Sequence, residues 1–220
     1  MGFNWDSIFE KASWFHWTGI SPAVSQSAAD TCLEAIIAAK EHGITISTDL
    51  NFRKKLWKYG TVSNEIMEEL TKYCDIILVG DSMANVLYGS DNTHKITLQN
   101  IIQHTLSVKK GVNKSLLVAD MPKGTYTNAN LAKKNAKLLI KLTGCDAVKI
   151  ESNNKNFKII NSLVKAKIPV MGHIGYTPQF KKKFKIEGET FFKAKKLLKE
   201  ALLIEKAGAF SIVLECISPK

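Results

Sequence analysis

Five short apolar runs in this chain each end in a group that can ionise, coordinate or donate. IILVGDS ends in Asp81 and Ser82, SLLVADMP in Asp120, and CDAVKIES in Lys149 and Glu151. IPVMGHIG ends in His173, and FSIVLECISP in Glu215. Hard oxygen donors of this kind suit Mg2+, which takes one or two carboxylates and completes its shell with water and substrate. A competing reading is that Asp at a strand-to-helix turn caps the helix that follows. Capping accounts for one or two of these acids, not for four at one rim.

The elements that must carry these groups can be read from the same runs. Each is short, rich in β-branched residues and closed by Gly, Pro or a polar residue, the signature of a buried parallel strand. Between them lie amphipathic stretches. THKITLQNIIQHTLSVKKG is expected to stop at Gly111, NANLAKKNAKLLIKLTG at Gly144 and GETFFKAKKLLKEALLIEKAG at Gly208. Upstream, WFHWTGI and ITISTDL read as two further strands. A helix over SPAVSQSAADTCLEAIIAAKEHG separates them, with Gly43 as its stop. VSNEIMEELTKYC follows as a helix with Ser63 as its cap. The first dozen residues read as irregular. Alternation of this kind predicts an α/β chain with a parallel sheet. Polar residues delivered at successive strand ends predict a parallel (β/α) barrel of TIM type.

Composition narrows the function classes. No run approaches the roughly 18 apolar residues of a membrane span, and the N-terminus lacks the pattern of a signal peptide. The net charge of +11 rests almost wholly on scattered lysines, since Arg53 is the one arginine, so a nucleic-acid partner is not expected. Cys32, Cys74, Cys145 and Cys216 are far apart, form no zinc-type motif, and fit free thiols in a reducing cytoplasm.

The chain changes character near residue 75. Residues 1–75 hold all four tryptophans and seven basic against ten acidic residues, a net −3, whereas residues 76–220 carry a net +14. WFHWTGISPAVS, its following helix and DLNFRKKLW resemble the middle of a ribokinase-type sugar kinase, closest to 2-keto-3-deoxygluconate kinases, over residues 12–75. In that family the arginine of the DLNxR stretch helps bind the acid sugar, and Arg53 matches it. The Gly-Ala-Gly-Asp motif that supplies the kinase base and anion hole is absent.

From about residue 74 onward the chain resembles ketopantoate hydroxymethyltransferase. The residues that carry this are IILVGDSMANVLYGSDNTHKITLQNIIQHTLSVKKG, LLVADMPKGTY, DAVKIES, IPVMGHIGYTPQ, FKIEGET and GAFSIVLEC, all in family order. The resemblance implies a (β/α)₈ barrel. It also implies transfer of a hydroxymethyl group from 5,10-methylenetetrahydrofolate to 3-methyl-2-oxobutanoate, giving 2-dehydropantoate, a step of pantothenate biosynthesis. By the same resemblance Asp81 and Asp120 hold Mg2+, with Glu151 at or behind the ion. Ser82, Asp120, Lys149 and His173 meet the substrate, and Glu215 is the base that takes its C3 proton. His16, His42, His94 and His104 read as surface or packing residues. Departures from the family pattern are Ala84 in DSMAN, Ser152-Asn153 after the KxE strand, and the lysine-rich KKKFKIEG.

The chain therefore divides into a sugar-kinase-like segment, residues 1–75, and a hydroxymethyltransferase-like segment, residues 76–220. Two strands plus five make seven, against eight for closure. The barrel is thus expected to be incomplete or chimeric, open between WFHWTGI and FSIVLEC, and prone to self-association as a homo-oligomer. The rival expectations are a non-catalytic chimera and a sugar-kinase-derived fragment that binds 2-keto-3-deoxygluconate.

Overall fold

The structure is a computed structural model that describes residues 2–50, 56–57, 63–80, 96–152, 156–181 and 183–219. Seven strands form one parallel sheet in the order of the sequence. They are β1 (Trp14–Thr18), β2 (Thr45–Asp49), β3 (Ile76–Val79), β4 (Leu116–Asp120), β5 (Ala147–Glu151), β6 (Val170–Gly175) and β7 (Ser211–Glu215). All seven expected strands are present. Sequential order combined with right-handed crossovers places every connecting helix on the same face, which is how a parallel sheet curls toward a barrel. Among the described residues nothing pairs β1 with β7, and these two strands are the edges.

The helices are α1 (Trp5–Phe9), α2 (Gln26–Glu41), α3 (Ser63–Thr71), α4 (Leu98–Lys109), α5 (Ala129–Thr143), α6 (Phe157–Lys165) and α7 (Phe191–Lys206). Their limits follow local chemistry. Thr97 and Asn100 cap α4 reciprocally, side chain to backbone in both directions. Asn128 accepts a hydrogen bond from Leu131 N at the start of α5, which ends at Gly144 with φ +67°. Ser63 is the first residue of α3 rather than a cap before it. The N-terminal stretch expected to be irregular contains α1, capped by Asn4, and α6 arises from NFKIINSLVK, which carries no boundary signal beyond its buried Ile159, Ile160 and Leu163.

Because strand side chains alternate, the two faces of the sheet differ. Ile77, Val79, Leu117, Ala119, Val148, Ile150, Val170 and Ile174 point toward the helices and join the main core with Ile36, Ile101, Leu139, Ile160 and Ile204. Ile76, Leu78, Val118, Ala147 and Met171 form a smaller cluster on the face without helices. Two acids stand just before their strands and secure the N-terminal end of the sheet. Asp75 accepts Ile46 N at 2.9 Å, and Asp146 accepts Leu117 N at 2.9 Å.

Candidate active site

On β4 to β7 the same face turns polar two residues beyond its apolar members. Val118 leads to Asp120, Ala147 to Lys149 and then Glu151, Met171 to His173, and Val213 to Glu215. Parallel register brings them together at the C-terminal ends of the strands. Asp120 pairs with Lys149, Glu151 with His173, and Gly175 with Glu215.

Three of these groups are almost fully buried: Asp120 is 3%, Glu151 2% and His173 1% exposed. Buried charge must be paired. Lys149 Nζ lies 2.9 Å from Asp120 Oδ1 and meets that requirement. Glu151 Oε2 accepts the backbone N–H of Gln179 at 2.9 Å. His173 stands between two carboxylates, with Nδ1 3.8 Å from Glu151 Oε1 and Nε2 3.1 Å from Glu215 Oε2. The second contact is within hydrogen-bond distance, although the ring is not turned to send a straight N–H at the oxygen. Burial, and next the charge of Lys149, hold the imidazole below its ordinary pKa against the opposing pull of Glu215. At neutral pH the ring is therefore neutral.

Glu215 differs from the other acids in being 41% exposed. Its place is set by the backbone. Tyr176 N donates to Glu215 O at 2.8 Å. Gly175, at φ +93°, lies so close that a Cβ there would overlap the same carbonyl oxygen. Ser152, one of the departures from the family pattern, donates its N–H to His173 O and its hydroxyl to Glu200 of α7. It ties the site to the helix layer.

Of the expected site residues, Asp120, Lys149, Glu151, His173 and Glu215 are thus gathered at one end of one face. Asp81, Ser82 and Arg53, with His94, Ala84 and Asn153, lie outside the described residues. Among the described residues no three His, Cys, Asp or Glu side chains form a ready metal cage. Asp120 and Glu151 nonetheless offer the kind and number of carboxylates that Mg2+ uses when water and substrate complete its shell, and this donor set fits the ion.

Two buried polar residues escaped the sequence reading. Gln179 and Tyr126 lie just past strand ends, inside the quoted motifs IPVMGHIGYTPQ and LLVADMPKGTY, and are 1% and 3% exposed. His16, expected to pack or face solvent, is exposed on the helix-free face. Its Nδ1 is 2.8 Å from Ser47 Oγ and its Nε2 3.6 Å from Asp49 Oδ2.

Comparison with known proteins places this geometry. The model of the ketopantoate hydroxymethyltransferase family matches residues 54–220. The 3-methyl-2-oxobutanoate hydroxymethyltransferase of Pelagibacter ubique (strain HTCC1062) is 46% identical over 173 residues, 76% of this chain and 67% of that one. The enzyme of the same name from Clostridioides difficile (strain 630) is 48% identical over 162 residues, 71% of this chain and 58% of that one. The chain spans between about half and two thirds of the length of the curated relatives it matches. Among solved structures, a 2,3-dimethylmalate lyase superposes with TM-score 0.54 at 14% identity over 84% of this chain and 61% of that one, a likeness of fold alone. A 2-dehydro-3-deoxygluconokinase from Thermotoga maritima reaches TM-score 0.35 at 22% identity over 66% of this chain and 34% of that one, too low to argue from.

Proposed function

The chain belongs to the ketopantoate hydroxymethyltransferase family, and from that premise we propose that its strand-end acids serve hydroxymethyl transfer from 5,10-methylenetetrahydrofolate to 3-methyl-2-oxobutanoate. The observation that carries this is the division of labour among the acids. Asp120 and Glu151 are buried and tied to fixed partners, while Glu215 stands half-exposed at the next strand end but one, beside a neutral histidine.

In this reading Asp120 and Asp81 would hold Mg2+, with Glu151 at or behind the ion. When bound, the ion polarises the 2-oxo group of the substrate and acidifies its C3–H. Lys149 exchanges part of its pairing with Asp120 for the substrate carboxylate, which Ser82 also binds in this proposal. Glu215 removes the C3 proton, and C3 forms a C–C bond to the methylene carbon of the folate as its two C–N bonds break; water supplies the hydroxyl, and tetrahydrofolate leaves with its nitrogens protonated. His173, buried, stands with Nε2 3.1 Å from Glu215 Oε2 and helps to place that carboxylate. Exclusion of water around Asp120, Glu151 and His173 strengthens each of these interactions.

The division into residues 1–75 and 76–220 is part of the same proposal. WFHWTGI and the start of DLNFRKKLW support the first segment and the family signatures the second, with the family model already matching from residue 54. Whatever their origins, the two share one sheet, because β2 pairs with β3 through Ser47 and Ile76. Self-association through the edges of that sheet completes the reading.

Two titrations test it. With Mg2+ present, 3-methyl-2-oxobutanoate is expected to give a calorimetric binding isotherm and 2-keto-3-deoxygluconate none. In deuterated water the C3 proton of the bound oxo acid should exchange, seen by NMR. Identical isotherms in EDTA and in Mg2+, or no exchange above the protein-free rate, would overturn the proposal.

A further inference from the structure

We infer that Gln179 is a positioning residue that sets the spacing of Asp120 and Glu151; the inference rests on the reading of those two acids as the metal side of the site. Gln179 comes from the loop after β6, yet it touches the ends of β4 and β5. Its backbone N–H donates to Glu151 Oε2 at 2.9 Å. Its side-chain Nε2 donates at 3.0 Å to the carbonyl of Met121, the residue next to Asp120. Its side-chain Oε1 accepts the hydroxyl of Tyr126. One residue thus joins three strand ends.

The chemistry fixes the amide orientation without ambiguity. A backbone carbonyl only accepts, so Nε2 must face Met121 O, and the remaining oxygen must face the Tyr126 hydroxyl. Glutamate at this position would set a second acceptor against Met121 O. Asparagine would be one methylene short of both partners. Water is a poor substitute, since Gln179, Met121 and Tyr126 are each 3% exposed or less. A half-satisfied buried network loses its geometry rather than adjusting it. Here the geometry in question is how far the Asp120 carboxylate stands from that of Glu151.

Residues behind a metal site commonly change its affinity by roughly 10–100-fold when replaced. Gln179→Glu should therefore raise the Mg2+ concentration that half-saturates oxo-acid binding by about 10–100-fold. Saturating Mg2+ should restore most of the oxo-acid affinity. Tyr126→Phe, which removes one contact and keeps the other two, should shift the Mg2+ midpoint in the same direction by less. Mn2+ binding followed by electron paramagnetic resonance, without oxo acid, gives a second readout, and thermal melting separates it from general loosening. A purely structural role would lower the melting temperature and leave the Mg2+ and Mn2+ midpoints where they are in the parent. That result overturns the inference. If Gln179→Glu does not fold, Tyr126→Phe decides by the same midpoints. A parent chain that binds Mn2+ but not the oxo acid overturns the functional reading and leaves the Mn2+ test of Gln179 intact. A parent that takes up no divalent ion overturns both.

Discussion

The two ends of the sheet solve the same placement problem with opposite degrees of burial. On the helix-free face of β1 and β2 stand Trp14, His16, Thr18, Ser47 and Asp49. On the same face of β4 to β7 stand Asp120, Lys149, Glu151, His173 and Glu215. Both sets make polar contacts at close range. Thr18 donates to Asp49 at 2.8 Å and the Trp14 indole to Ser47 at 2.7 Å, as close as the 2.9 Å of Lys149 to Asp120. Solvent separates them. The side chains of His16 and Asp49 are 44% and 32% exposed, against 11% and 4% for Lys149 and Asp120. Water screens the first pair and weakens it, whereas the second is held in a medium where removing either partner leaves a bare charge. Similar distances therefore do not mean similar importance.

The largest test of that contrast is kinetic. Glu215→Gln should slow exchange of the substrate C3 proton by roughly 10²–10⁴-fold, the share a general base contributes, while the oxo acid still binds. Asp49→Asn, the corresponding change at the exposed end, should leave the rate within about twofold, far below the share of a general base. NMR in deuterated water reads both. Equal slowing by the two variants would erase the distinction between the two ends.

A thermodynamic test comes next. Asp120→Asn keeps the volume but strands the Lys149 ammonium, and loss of one partner from a buried pair costs about 3–5 kcal/mol. Asp49→Asn should cost less than about 1 kcal/mol, as an exposed pair does. Urea unfolding of the two variants, with equal slopes, makes the comparison. An Asp120 variant as stable as the parent would mean that Lys149 finds another partner and that the pair is not what orders this end.

What could be read from the sequence follows the same line. All seven strands were legible because each is an apolar, β-branched run closed by a breaker, and the strand-end acids were legible because they close those runs. Helix α6 was not, since it is only nine residues long and no side-chain cap marks its start, although Ile159, Ile160 and Leu163 recur at helical spacing. The roles of Asp75 and Asp146 were hidden for another reason. Each binds the backbone of a neighbouring strand 29 residues away. Gln179 is the extreme case. Its partners Met121 and Tyr126 lie 58 and 53 residues back, and no local pattern marks a side chain whose meaning is set by three strand ends at once. His16 is exposed, as expected of a surface residue, and only pairing of β1 with β2 puts Ser47 and Asp49 beside it.

The edges of the sheet give the smallest expected effect. An edge strand presents unpaired N–H and C=O groups and invites a partner unless charge or bulk protects it. At one edge, β1 turns Phe15 and Trp17 into the main core, and α1 packs nearby through Phe9 against Phe15. At the other, β7 leaves Leu214 62% exposed, with Phe210 beside it at 45%. The β7 edge is therefore the one expected to drive self-association, by strand pairing reinforced with apolar contact. Lysine on an edge strand is the usual natural protection. Leu214→Lys should move the mass seen by size-exclusion chromatography with light scattering toward the monomer. The melting temperature should change little, because an exposed side chain contributes little to the core. The same substitution in the other edge, Trp14→Lys, should leave the mass where it is. A parent chain that elutes as a sharp monomer at every concentration would show that neither edge is available, and the contrast between the two ends would then stop at the candidate site.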